Sequence, residues 1–429
     1  MKVPSISPIF VPEMHVLIVN TSEKAGGAAI AASRLTDALN RFGMKAVMLV
    51  RDAQTQRPTT VRVSRSLWST LQMRWAFLWE RLRIFLANRL HKRGLWEVDI
   101  ACSGTDITQL PEFKDADIIH LHWVNQGMLS LRQIARILRS GKPVVWTMHD
   151  MWPCTAICHH AGDCNRFTTH CHNCPQLLYP DKHDLSWQVF QEKVRTYALA
   201  RMTFVAVSNW MADRARQSAL TAGHTIQVIP NPLPINDFHR MDSQKARLAL
   251  GLAAEDAIVA FGAARIDAPV KGLPLLAEAL TKVQTDMPGK HIHLLLFGDC
   301  KDRHVLHSLP CSYTFLGRVN STEALCRIYS AANVLVNASA YETFGQTLAE
   351  AMACGCVPVS FDRGGQTDVI RHLQDGYLAR YGDTTDMAQG IRWALTSPPS
   401  PDELQKSAAS RFGEAIVAQQ HIELYQQLL

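Results

Sequence analysis

The 429-residue sequence predicts an α/β protein of two doubly wound, Rossmann-like domains that face a cleft. Three observations carry that prediction. The chain is too long for one comfortable hydrophobic core. Strand-like apolar runs alternate with helix-period segments from His15 to Ser397, the pattern of parallel sheets covered on both faces. A Pro- and Asn-rich stretch, TIQVIPNPLPINDFHR, breaks the rhythm and places a linker near Pro230–Pro234. Residues 1–230 then form an N-terminal domain with a Cys-rich insert at 154–174, and 231–400 a C-terminal domain. Residues 401–429 form a helix that packs back on the first domain.

The elements follow in order. HVLIVNTS is a strand, and KAGGAAIAASRLTDALNRFG carries Ile30, Leu35, Ala38, Leu39 and Phe42 at helical spacing, with Gly43 as its stop. KAVMLV, DADIIHLHW, PVVWTMHD and MTFVAVSN continue the strands, separated by the helical SLRQIARILRSG and followed by WMADRARQSAL. Beyond the linker come DAIVAFGAARI, HIHLLLFGD, YTFLGRV, ANVLVNAS and VPVSFD as strands. GLPLLAEALTKVQ, TLAEAMACG and GIRWALTS are the helices among them.

Composition narrows the class. A charged fraction of 19% and a hydrophobic fraction of 47% describe a globular chain, not a disordered or fibrous one. The N-terminus lacks the apolar core and cleavage site of a signal peptide. No apolar run approaches the ~20 residues of a spanning helix. Scattered cysteines suit a reducing cytoplasm.

Chemistry concentrates in NASAYETFGQTLAEAMACGCVPVSFD. Glu342 and Glu350 are expected on one helix, ~12 Å apart along its axis and ~80° apart around it, facing a common groove. Backbone N–H groups around Thr343, Phe344 and Gly345 are expected at that helix's N-terminus, where an anion is favoured. In FGAARIDAPVKG, Arg265 and Lys271 lie in a strand-to-helix loop of the same domain, and two such cations fit a diphosphate clamp.

FGAARIDAPVKG, the Glu-x7-Glu element and the Gly26-Gly27 turn after the first strand together resemble the family 4 retaining glycosyltransferases of the GT-B fold. IIHLHW, WTMHDMW and the Cys-rich insert resemble a bacterial subgroup, including colanic-acid-type enzymes, that builds cell-surface polysaccharides. The resemblance implies that Glu342 contacts the donor sugar, Glu350 the nucleotide ribose, and Arg265 and Lys271 the diphosphate. It also implies that His149 lies beside the transferred sugar and that Gly26 and Gly27 belong to the donor site. A same-face mechanism, with the leaving phosphate as base, comes from the family as well. No catalytic metal is expected, since protein cations can stabilise the leaving phosphate and no isolated Asp-x-Asp motif occurs. The partners implied are a nucleotide-sugar donor and a lipid-linked saccharide acceptor. A nucleotide-sugar epimerase and a nucleic-acid-binding protein with a zinc site are the rivals. The assembled diphosphate site argues against nucleic acid.

Five of the eleven cysteines fall between Cys154 and Cys174. Cys158, Cys164, Cys171 and Cys174 have the spacing C-x5-C-x6-C-x2-C, with His159, His160, His170 and His172 as substitutes. Four thiolates would make a closed structural zinc site. Reduced packed cysteines and disulfides are the alternatives.

Between Arg65 and Arg93, the basic residues Arg65, Arg74, Arg81, Arg83, Arg89, Lys92 and Arg93 oppose a single acid, Glu80. That excess equals the chain's whole net charge of +6. Leu67, Leu71, Trp75, Leu78, Leu82 and Phe85 recur at helical steps, so residues 66–93 read as an amphipathic helix. It either packs on the first domain or anchors the protein peripherally to the inner face of the plasma membrane.

Overall fold

His15–Ser22 (β1) is buried along almost its whole length, as a central parallel strand must be. The computed structural model describes residues 14–429, so the signal-peptide reading of residues 1–13 lies outside the described residues. After β1 the chain runs through α1 (Gly27–Arg41), β2 (Lys45–Asp52), β3 (Thr60–Arg62), α2 (Leu67–Ala87) and α3 (Pro111–Asp115). It continues with β4 (Ile118–Leu121), α4 (Leu131–Arg139), β5 (Val144–Met148), α5 (Leu185–Tyr197), β6 (Thr203–Ala206), α6 (Asn209–Gln217) and β7 (Thr225–Val228). Among the described residues these strands form one seven-stranded sheet, ordered β3-β2-β1-β4-β5-β6-β7, and every pairing is parallel.

Local sequence explains several boundaries. Gly26, at φ +89°, precedes α1, and Gly43, at φ +90°, follows its C-cap Phe42. Ser130 caps α4 by accepting the Gln133 N–H, and Gln133 reaches back to the Ser130 N–H at 3.1 Å. IIHL, VVWTM and TFVA are buried at every position, which is why they show no polar alternation. TIQV, which opens the Pro- and Asn-rich stretch, is the edge strand β7, and the break starts after it.

The second sheet belongs to a separate compact unit of Ser208–Trp210 and Pro230–Val417, while Ala418–Leu429 belongs to the first unit. The second unit begins with α7 (Ser243–Ala249), β8 (Ala257–Arg265), α8 (Leu273–Asp286), β9 (Ile292–Asp299), β10 (Ser312–Phe315) and α9 (Thr322–Ala331). It goes on through β11 (Val334–Asn337), α10 (Gln346–Ala353), β12 (Val357–Phe361), α11 (Gln366–Val369), β13 (Tyr377–Ala379) and α12 (Thr384–Thr396). Its strands are parallel in the order β10-β9-β8-β11-β12-β13.

The single helix expected over 401–429 is two helices, α13 (Pro401–Phe412) and α14 (Glu414–Gln426). The backbone of Leu233 explains the break. It donates to the Phe412 carbonyl at 2.8 Å and accepts from the Glu414 N–H at 3.1 Å, holding Gly413 extended. Thus α13 lies wholly in the second unit, against α10.

Candidate active site

In the second unit the chain leaves β8 for β9 and β10 on one side, then crosses to β11, β12 and β13 on the other. The strand order therefore reverses between β8 and β11, and ligands of open α/β sheets bind outside the carboxyl ends of such strands. Arg265, Lys271 and Glu342 all lie at that place. A register shift between Gly262 and Arg265 kinks β8 just before its loop. The Lys271 Nζ is 2.7 Å from Glu342 Oε1. Ser339 Oγ donates to the same carboxylate oxygen at 2.8 Å, and the Glu342 N–H donates to Gln366 Oε1 at 3.1 Å. Burial alone would raise the Glu342 pKa. The Lys271 ammonium and hydrogen bonds from Lys271, Ser339 and Asn337 outweigh it, so the carboxyl titrates below its usual range. One Lys271 N–H is thus engaged and two remain for a ligand.

Two glycines make these loops meet. A Cβ at Gly272, which adopts φ +71°, would lie 2.1 Å from the Ala338 carbonyl oxygen, so only glycine lets the Lys271 turn touch the loop after β11. A Cβ at Gly365 would lie 1.9 Å from the Thr343 oxygen. The Gly364-Gly365-Gln366 turn after β12 is the third wall of the site. Sequence reasoning missed it, although a Gly-Gly pair between a strand and a helix was its signal.

Other expectations need correction. Glu342 is not on a helix with Glu350, because α10 starts at Gln346 after Gly345 at φ +99°. Glu342 belongs to the loop, where Lys271 and Ser339 hold it, so the helical-spacing argument does not apply. Glu350 is inside α10, buried, and accepts from the Tyr329 hydroxyl at 3.2 Å. The Thr343 carbonyl accepts from Ser208 Oγ at 2.7 Å, and Phe344 is a core residue packed edge-on against Phe412. Arg265 Nε lies 3.4 Å from Asp267, and the Arg265 side chain keeps 42% of its surface exposed.

In the first unit the order reverses between β1 and β4. Gly26 and Gly27 follow β1, and a Cβ on either would meet nothing within 4 Å, leaving open space before α1. His122 follows β4 and His149 follows β5. The His122 Nδ1 and His149 Nε2 are 2.8 Å apart, sharing one proton as a hydrogen bond. His120, fully buried, meets the Tyr425 hydroxyl at 2.6 Å and Thr147 Oγ1 at 2.7 Å. Burial pushes the His149 pKa down to about 4 against a small opposing pull from Asp150, so the ring is neutral at neutral pH.

Cys158, Cys164, Cys171 and Cys174 line one cavity of about 20 Å³ with His172, and none is in a disulfide. No three His, Cys, Asp or Glu side chains among the described residues are already drawn into a ligand set. The four thiols thus share a cavity without the ligand geometry expected of a formed zinc site. His159 is no substitute ligand. Its Nδ1 lies 2.7 Å from Asp150 and its Nε2 2.7 Å from Asp99. Burial opposes its charge, but the two aspartates prevail and raise its pKa to about 10.

Residues 255–397 match the family described as Glycosyl transferases group 1, and residues 25–237 match Glycosyltransferase Family 4. A phosphatidyl-myo-inositol mannosyltransferase from Mycolicibacterium smegmatis is 30% identical over 304 residues, covering 70% of this chain and 67% of that protein. A D-inositol 3-phosphate glycosyltransferase from Nocardia farcinica is 29% identical over 193 residues. The chain thus spans less than half of that relative, 42% of its length and 42% of its own. Anabaena HepE in complex with UDP and glucose has a TM-score of 0.63 at 17% identity, covering 97% of this chain and 100% of that one. A sucrose-phosphate synthase from Thermosynechococcus elongatus has a TM-score of 0.65 at 20% identity, covering 97% and 99%. With both sheets and both halves of the sequence matched, the chain belongs to the group 1, family 4 glycosyltransferases and has their two-domain GT-B fold.

Proposed function

We propose that this protein transfers a hexose, with retention, from a nucleoside-diphosphate sugar to a lipid-linked saccharide during cell-surface polysaccharide synthesis at the cytoplasmic face of the membrane. The observation that carries this reading is the Lys271–Glu342 pair where the strand order of the second sheet reverses. Arg265 and the two remaining Lys271 protons stabilise negative charge on the departing diphosphate. Glu342, held ionised, accepts from hydroxyls of the donor sugar. The bond between the anomeric carbon and the diphosphate oxygen breaks, and the acceptor oxygen bonds to the same face of that carbon. The acceptor's hydroxyl proton goes to the departing phosphate. Neutral His149 offers a hydrogen bond to the sugar and no positive charge.

Support for the donor class comes from HepE, solved with UDP and glucose. Support for a lipid-borne acceptor comes from relatives named for phosphatidyl-myo-inositol. The colanic-acid-type subgroup rests on the IIHLHW, WTMHDMW and Cys-rich sequences, and the ribose contact of Glu350 on family resemblance. The Cys-rich insert is assigned a structural role; zinc would be held there only if the four thiols drew in around the cavity they share.

The test is thermal stabilisation by a panel of nucleoside-diphosphate sugars, because a ligand of the folded state raises the melting temperature by mass action. One donor class should stabilise the wild type and leave Lys271→Ala nearly unmoved. If no donor stabilises the protein, the reading fails. A nucleotide sugar altered without any acceptor would favour an epimerase.

A further inference from the structure

The apolar stripe of α2 faces away from the protein. Leu67, Trp68, Trp75 and Leu78 are 85%, 77%, 69% and 52% exposed, and Leu71, Trp79, Leu82 and Leu86 are exposed beside them. The residues turned inward are Met73, Ile84 and, unusually, the charged Glu80 and Arg81. A surface helix of a soluble protein is ordinarily arranged the other way round.

Polar contacts explain the orientation. Glu80 Oε1 accepts the Ile100 and Ala101 N–H groups at 2.8 and 2.6 Å. Arg81 pairs with Asp99, and Ser103 Oγ donates to the Ala76 carbonyl at 2.6 Å. A Cβ at Gly127 would stand 2.8 Å from the Phe77 nitrogen, so the helix sits directly on that turn. It is therefore fixed to the first unit by its inner face while its large apolar side chains lack cover from the first unit. Ordinary packing, one of the two readings of this segment, does not account for the stripe.

Charge surrounds the stripe. Arg81 is buried and Arg65 pairs with Glu112, so neither serves an outer partner as the sequence suggested. Arg74, Arg83, Arg89, Lys92 and Arg93 are exposed. Beside the helix a cavity of about 450 Å³ is lined by Arg51, Arg62 and Arg74 with Ser64, Thr70 and Asp52, and Asp52 is ion-paired to Arg51 at 2.6 Å.

We propose that α2 lies on an anionic lipid bilayer, with its tryptophans and leucines in the headgroup–acyl boundary and its flanking cations against lipid phosphates. No described helix is long and apolar enough to cross a membrane, so this one lies along the surface. A second copy of the chain is the poorer occupant, because face-to-face pairing would oppose two rims of like charge. The stripe belongs to the first unit and the Lys271–Glu342 pair to the second, and the donor-site assignment does not rest on the stripe, so failure of one leaves the other standing.

Flotation of the full chain with phosphatidylcholine vesicles, with and without phosphatidylglycerol, tests the assignment. The wild type should float with phosphatidylglycerol and less so in high salt. Trp68→Ser, Trp75→Ser and Trp79→Ser together should abolish flotation, since all three rings are exposed and their loss spares the fold. Arg74→Glu, Arg83→Glu and Lys92→Glu together should weaken partitioning roughly 100-fold. Both variants should keep wild-type thermal stabilisation by the donor. Wild-type protein that stays with the dense fraction at low salt would overturn the proposal. So would a concentration-dependent dimer, dissolved by the tryptophan substitutions, in protein that binds no vesicles.

Discussion

Lys271 and Glu342 stand 2.7 Å apart in space and 71 residues apart in sequence. Adjacent parallel strands bring them together, because the loops after β8 and β11 emerge at the same end of the sheet. Both side chains keep about a quarter of their surface, 26% and 22%, so the pair adds little to stability. Its value lies in a carboxylate kept ionised beside a cation that retains free donors.

Arg265→Ala and Lys271→Ala should each lower kcat/KM by on the order of 10²-fold, as for loss of one partner of transition-state charge. Lys271→Ala should have a second effect. Burial raises the Glu342 pKa and the lysine is its foremost opponent, so removing the lysine shifts that pKa upward. The variant's defect should therefore deepen as pH falls, measured as kcat/KM against pH. Glu350→Ala should weaken donor binding more than turnover. Near-normal transfer by the Arg265, Lys271 double variant would refute the diphosphate assignment. Loss of activity in EDTA with recovery in Mg²⁺ would point to a metal-dependent donor site.

His149→Ala should keep its fold and lose transfer by on the order of 10²-fold, the scale of one hydrogen-bond donor aimed at developing charge. Its depressed pKa of about 4 makes a sharper statement. The wild-type kcat/KM profile should show no acidic limb from this residue near pH 6.5. A limb there that vanishes in His149→Ala would mean that the ring works as a cation.

His159 titrates in the opposite direction. Its folded pKa, about 10, is above the unfolded value of 6.5. Its contribution to stability is thus fully present below pH 6.5 and is lost as pH rises through about 10. His159→Gln should lower the melting temperature most near pH 6 to 7. The gap to wild type should narrow toward pH 10, as pH-dependent thermal melts would show. An equal gap at every pH would mean the ring is held by packing alone.

Zinc at the four thiols predicts about one metal per chain in protein purified without chelators. Cys171→Ser should release it and lower the melting temperature by several degrees. Free thiols that titrate fully in metal-free wild-type protein would make the insert a packed reduced cluster. Loss of activity in Cys171→Ser with unchanged metal content and melting temperature would give the cysteine a part in the reaction.

The sequence alone determined the alternation of strands and helices and the break into two units, because buried parallel strands such as VVWTM and IIHL are legible as apolar runs. It also placed Arg265, Lys271, Glu342 and His149 after strands, where the topology of such sheets puts ligands. Tertiary structure decided what depends on distant partners. Glu342 left its expected helix because Lys271, 71 residues away, holds it in the loop before Gly345, and no local pattern encodes that capture. His159 turned from a candidate ligand into a cation because Asp99, 60 residues away, reaches its ring. The orientation of α2 is the same lesson on a larger scale. Periodicity marks two faces of a helix, but which face turns inward was set by Asp99, the 100–101 backbone and Gly127, all outside the helix.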